Sequence, residues 1–127
     1  MKIIKILDAS QIDYVNNLIE DIEFHDGKKT AHGLAKQAKL NKHAVAEGDK
    51  YQELVSYIND IFKKNLTLNK RYLPKAFSTP VVNKYEVGDS YGRHFDTSHM
   101  NTGSGSIRND FSFTLMLSSK SDYVGGE

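Results

Sequence analysis

The hydrophobic period of this chain changes once, near Phe77, and that change decides what the chain can fold into. Before it, apolar residues recur at helical spacing; after it, they alternate. Ile12, Val15, Ile19 and Ile22 follow Asp8-Ala9-Ser10-Gln11, whose Asp and Gln have capping-box spacing, and Asp26-Gly27 breaks the pattern. A second helix is predicted from about Asp49, where Gln52 again completes a capping-box spacing. It carries Tyr51, Leu54, Val55, Ile58, Ile61 and Phe62 on one stripe and ends near Asn65. Isolated helices of this length are marginal in water, so both stripes need a surface to cover.

Beyond Phe77, Thr79 to Tyr85 reads as a strand whose early Pro80 suits a strand start or an edge, and Gly88-Asp89 marks a turn. Another strand is predicted from Asp110 to Ser118. There Phe111, Phe113, Leu115 and Leu117 alternate with Ser112, Thr114 and Met116, giving one greasy face and one that is mostly small and polar. The helices supply a covering for the greasy face, and the polar face is left toward whatever the sheet encloses. The expected class is α+β, with helices packed on a β-sandwich or barrel: residues 1–75 form a helical support and residues 76–127 the first part of the β core. Thr97 to Ser106, with Gly103-Ser104-Gly105-Ser106, is expected to be a mobile surface loop. Lys28 to Lys42 holds five lysines and no acidic residue, and reads as a solvated loop, or else as a flap or a contact for an anionic partner.

Composition narrows the chemistry. At 127 residues, 39% hydrophobic and 26% charged, the chain has the size of one modest domain or part of one, and a net charge of +1 gives no strong field to attract nucleic acid. The lysine-rich stretch also lacks the interleaved aromatics that stacking on bases favours. There are no cysteines, so any metal must be held by nitrogen and oxygen. No apolar run reaches the ~20 residues of a membrane span, and a cytoplasmic protein is expected.

The informative segment runs from Tyr85 to Asp96. In extended backbone His94 and Asp96 project to one side and Phe95 to the other, so an imidazole nitrogen and a carboxylate oxygen can converge on one ion. These are two corners of a facial triad of two histidines and one carboxylate, which leaves three positions open on an octahedral iron(II).

Around this pair, Ser78-Thr79-Pro80, Asn83-Lys84-Tyr85, Tyr91-Gly92-x-His94-x-Asp96, Arg108-x-Asp110-x-Ser112-x-Thr114-Leu115-x-Leu117-Ser118 and Tyr123-x-Gly125-Gly126-Glu127 occur in order. In these motifs the chain resembles the PKHD-type, prolyl-4-hydroxylase-like dioxygenases. The resemblance implies a double-stranded β-helix (jelly-roll) with N-terminal helices packed on one sheet. It also implies iron(II) held by His94 and Asp96, 2-oxoglutarate and dioxygen as co-substrates, and L-ascorbate as a reductant that keeps the iron active. The reaction implied is hydroxylation of a peptidyl side chain or small molecule. Tyr85 matches a tyrosine that lines the co-substrate pocket of such enzymes, and Ser112 and Thr114 would line the barrel interior beside it. Core packing for Tyr85 and cross-strand pairing for Ser112 and Thr114 are the plainer alternatives. Arg108 and Asp110 are expected to form a local ion pair.

The family pattern continues past Gly-Gly-Glu to a second iron-binding histidine and a basic residue for 2-oxoglutarate. Neither maps onto this chain: His25, His32 and His43 precede the barrel, and His99 lies too near His94. The expectation is a truncated barrel, inactive alone and either marginally stable or oligomeric. The alternative is a non-catalytic jelly-roll binding module or relic that cannot complete the iron site.

Overall fold

The computed structural model describes residues 3–27, 39–102 and 105–125. Its first helix, α1 (Ala9–Glu20), starts as predicted. The Asp8 carboxylate accepts from the Gln11 N–H at 2.9 Å, and the Asp8 N–H donates to the Gln11 side chain at 2.9 Å, so both halves of the capping box are made. α2 (Asp49–Lys64) buries Tyr51, Leu54, Ile58 and Phe62, but its start differs from the expectation. Asp49 lies inside the helix, and the cap is Gly48, at φ 87° and without a side-chain bond to offer. Asp49 in the first turn and Lys63 and Lys64 in the last still complement the helix dipole. Asn65 then ends α2 and opens α3 (Leu66–Tyr72), its side chain accepting from the Leu68 N–H at 2.9 Å. Periodicity does not reveal α3, because a helix of seven residues with one buried side chain, Leu68, has no stripe to read.

The core lies between α1 and α2. Val15, Leu18 and Ile22 meet Tyr51, Leu54, Ile58 and Phe62, with Ala44 and Leu68 completing the cluster. Tyr51 is buried to 3% exposure, yet its hydroxyl donates to the Pro80 carbonyl at 2.8 Å. That bond satisfies a polar group that burial would otherwise penalise, and it ties the helical layer to the segment leading into the site.

The strands are short. In chain order they are β1 (Phe24–Asp26), β2 (Lys39–Leu40), β3 (Lys42–Ala44), β4 (Asn83–Lys84), β5 (Ser90–Tyr91), β6 (His99–Thr102) and β7 (Gly105–Arg108), with a 3₁₀ turn at Lys120–Asp122. They form three antiparallel sheets, ordered β1-β3-β4, β2-β5 and β6-β7. The α+β class is observed; among the described residues no sheet closes into a barrel.

Four expectations are corrected here. Lys39 and Leu40 belong to β2 and Lys42 to β3, while residues 28–38 of the expected loop or flap lie outside the described residues. Thr97 to Ser106 contributes to the β6-β7 hairpin, in which His99 pairs with Arg108 and Met100 with Ile107. Of the strand expected over Thr79 to Tyr85, only Asn83–Lys84 forms a ladder. Asp110 to Ser118 forms none. Its alternation is nevertheless real: Phe113 packs edge-on against Phe62 at 5.1 Å, Phe111 against Tyr72 at 5.1 Å, and Leu115 and Leu117 against the core. Alternation selects which face is covered, but a strand also needs a neighbour's backbone to bond, and none pairs with this segment among the described residues.

Gly27 marks the closest backbone approach. Its N–H donates to the Asn41 carbonyl at 2.8 Å, and a Cβ placed on it would collide with the Asn41 side-chain oxygen. Asn41 is 6% exposed and has little room to retreat. Gly27→Ala is therefore expected to destabilise the fold by about 1–3 kcal/mol, the usual range for overpacking, seen as a lower urea midpoint.

Candidate metal-binding site

The site is delivered by a tight turn. The Glu86 N–H donates to Asp89 Oδ2 at 2.9 Å, the Asp89 N–H donates back to the Glu86 carbonyl at 2.9 Å, and Gly88 takes φ 94°, which favours glycine. The chain returns as β5, where Tyr91 pairs with Lys39 of β2. His94 and Asp96 lie beyond the ladder rather than in the extended strand expected of them. The two-residue spacing still gathers both on one side, with His94 Nε2 at 3.4 Å from Asp96 Oδ1 and Phe95 fully exposed.

The His94 ring is held on two further sides. Tyr91 lies flat against it, with ring centroids 3.7 Å apart and planes within 10° of parallel. Nδ1 stands 2.8 Å from the Gly92 carbonyl. A carbonyl only accepts, so Nδ1 carries the hydrogen, and the neutral imidazole then presents its lone pair at Nε2, the nitrogen that faces Asp96. Two donors bound at about 2.1 Å in adjacent corners of an octahedron stand about 3 Å apart, so a separation of 3.4 Å needs only a small approach. An imidazole nitrogen beside a carboxylate oxygen suits iron(II) or a similar divalent ion. The His94 side chain is 24% exposed and that of Asp96 60%, so the pair is covered on the aromatic side and open on the other.

No group of three His, Cys, Asp or Glu converges among the described residues. His99 sits in β6 with its Nδ1 3.2 Å from Ser98 Oγ, and His43 sits in β3 against Asn83.

Tyr85 lies beside Asn41 and Asp89. Burial pushes its phenol up, a hydrogen bond from Asn41 opposes that, and Asp89 adds to it. Burial also raises the Tyr91 phenol, reinforced by Tyr85 and then Asp96, and the Tyr91 ring is the one stacked on His94. Ser112 and Thr114 are exposed, and no bond or ring contact joins them to His94 among the described residues. Arg108 and Asp110 make the expected ion pair, at 2.7 Å.

Apolar periodicity does not single out Lys39, Asn41 and His43, which alternate along β2, the bend after it and β3. Lys39 and Asn41 are each 6% exposed, and the Lys39 ammonium lies 5.5 Å from the centre of the Tyr91 ring. Their alternation is present in the sequence, but polar residues leave no trace in a search for apolar periodicity. Asn41 Nδ2 donates to Asn83 Oδ1 at 3.2 Å, while Asn41 Oδ1 and His43 Nδ1 are buried without a protein partner. A concavity of about 290 Å³ borders this row, lined in part by Phe24, Leu40, Asn41 and Asp89; neither His94 nor Asp96 belongs to it.

Burial, and then the Lys39 charge, hold the His43 imidazole below its ordinary pKa, with the Asn83 hydrogen bond opposing them. An unfolded His43 takes up a proton near pH 6.5 that the folded one resists, so unfolding gains protons and this part of the stability is lost as pH falls through the folded pKa. The urea midpoint is expected to drop below about pH 6.5, with a shallower acid limb in His43→Gln.

No family model matches the chain, and no solved structure gives a significant match. Curated relatives do. A PKHD-type hydroxylase of Gloeothece citriformis is 36% identical over 122 residues, covering 96% of this chain and 54% of that protein. One of Idiomarina loihiensis is 35% identical over 128 residues, covering 98% and 56%. One of Cupriavidus metallidurans is 32% identical over 130 residues, covering 100% and 57%. The chain spans about half the length of the curated relatives it matches. Aligned through nearly all of its residues at 32–36% identity, this chain is a homologue of the PKHD-type hydroxylases over about half of their length.

Proposed function

We propose that this chain is the N-terminal portion of an iron(II)- and 2-oxoglutarate-dependent dioxygenase that hydroxylates a peptidyl side chain or a small molecule in the cytoplasm. The observation that carries the reading is the His94–Asp96 pair, with Nε2 and Oδ1 3.4 Å apart in a chain homologous to PKHD-type hydroxylases. His94 Nε2 and Asp96 Oδ1 would hold the iron, and the open side of the pair leaves room for further ligands. When bound, the iron would supply the activation of dioxygen, driven by oxidative decarboxylation of 2-oxoglutarate to succinate, with ascorbate keeping it reduced.

The chain's own residues have simpler tasks. The Gly92 carbonyl keeps the proton on Nδ1, so that Nε2 stays available as a donor. Tyr85, half exposed, would donate its phenol hydrogen to a co-substrate carboxylate. The two-faced segment from Phe111 to Leu117 supports a jelly-roll, with Ser112 and Thr114 turned to its interior once neighbouring strands are present. No helix among the described residues is long and apolar enough to cross a membrane.

The first test is to read the source DNA beyond the codon for Glu127, then assay the complete frame for 2-oxoglutarate-dependent succinate release. The expected frame continues through strands carrying a second histidine and a basic residue. A stop codon directly after Glu127, or a complete frame that releases no succinate, would favour a non-catalytic binding module.

A further inference from the structure

Tyr91 stacks on His94, and neither the metal chemistry nor the co-substrate requires it. Its ring covers the imidazole at 3.7 Å and 10°, a face-to-face stack that removes one whole side of His94 from water. The ring is itself anchored. Tyr91 is the cross-strand partner of Lys39 in the β2-β5 ladder, and the Lys39 ammonium lies within cation–π range, 5.5 Å from the ring centre. One residue further on, the Gly92 carbonyl takes the Nδ1 hydrogen. The stack fixes the plane of the imidazole and the carbonyl fixes its rotation within that plane, so Nε2 has one direction left to point, toward Asp96.

We propose that Tyr91 is a positioning residue that presets His94 in its Nδ1–H tautomer with the Nε2 lone pair aimed at the metal position before any ion arrives. This rests on the reading of His94 as a metal ligand. A free histidine in water favours the opposite tautomer, with the hydrogen on Nε2, and must turn and exchange that proton before it can bind. Here the β2-β5 ladder has already imposed the binding form, and a ligand whose rotamer is locked by its neighbours binds more tightly than one that must be ordered. The aromatic face is what orients the ring; the Tyr91 hydroxyl makes no hydrogen bond to His94 among the described residues. Phenylalanine should therefore substitute for Tyr91, whereas leucine should not, despite its comparable apolar character.

The test uses the 127-residue chain with ¹⁵N- and ¹³C-labelled histidine, read by NMR above the imidazole titration range, followed by titration with cobalt(II). In the wild-type chain His94 is expected to show a protonated Nδ1, a bare Nε2 and ring protons shifted upfield by the stacked phenol. Tyr91→Phe keeps all three signatures and the cobalt affinity. Tyr91→Leu loses the upfield shift, moves toward the Nε2–H form and weakens cobalt binding by about 10- to 100-fold, as removal of a ligand's supporting partner does elsewhere. A wild-type His94 protonated on Nε2, or a Tyr91→Leu chain that keeps the wild-type tautomer, overturns the proposal. Cobalt binding unaffected by His94→Ala would instead sink the metal-ligand reading, and the tautomer measurement would still decide whether Tyr91 orients the ring.

Discussion

His94→Ala in the complete reading frame is expected to lower 2-oxoglutarate-dependent succinate release on the order of a thousandfold or more, with bound iron falling in parallel. The size follows from what the side chain contributes. Groups that act as one catalytic unit are not additive, so losing one member costs nearly as much as losing the set. His94 Nε2 is one of the two donors proposed for this site, 3.4 Å from the other, and alanine offers no replacement. Asp96→Asn keeps the shape but removes the charge and one anionic oxygen, and should show the same loss of iron with a smaller loss of fold stability than any core change. The His94 side chain is 24% exposed and outside the hydrophobic cluster, so far-ultraviolet circular dichroism and the urea midpoint should hold steady in His94→Ala. Unchanged turnover would remove His94 from the site. Lost turnover with iron fully retained would make it a residue of the substrate pocket.

What the sequence discloses, and what it hides, divides along a physical line. α1 and α2 are legible because each repeats a buried position over several turns, and Val15, Leu54 and Ile58 are where that repeat places them, although α1 buries Leu18 more deeply than the expected Ile19. His94 and Asp96 are legible because a two-residue spacing puts side chains on one side of any extended backbone, whether or not a ladder forms. Pairing is another matter. Nothing in Lys39-Leu40-Asn41-Lys42-His43 announces that Lys39 will meet Tyr91 or that His43 will meet Asn83, since those partners lie about fifty and forty residues away and are polar. The hairpin of β6 and β7 reads as a loop because glycine and serine signal flexibility, although they serve hairpin turns equally well. Ser112 and Thr114 expose the remaining gap: alternation assigns them a face, and only neighbouring strands can say what that face encloses. Phe111 and Phe113 make the same point from the other side, being 67% and 55% exposed despite their contacts with Tyr72 and Phe62.

Leu54→Ala is the change expected to damage the fold most. Leu54 is 2% exposed, on the face of α2 that meets α1, in a cluster of nine buried residues among those described. Truncating a buried leucine removes its transfer free energy and leaves a cavity, typically about 2–5 kcal/mol together. Domains of this size have about 5–15 kcal/mol in all, so a large fraction of the folded population is at stake. The loss should also reach the site. Tyr51, one turn before Leu54, donates to the Pro80 carbonyl at 2.8 Å, and β4 follows from there toward the turn that delivers Tyr91 and His94. A helix pair loosened at Leu54 frees that anchor, so the upfield-shifted His94 protons should move toward solution values at urea concentrations the wild type tolerates. Val87→Ala supplies the control. Val87 is fully exposed, and its truncation should change the midpoint by no more than the equivalent of about 0.5 kcal/mol. If Leu54→Ala unfolds no earlier than Val87→Ala, the α1–α2 interface is not the core of this fold.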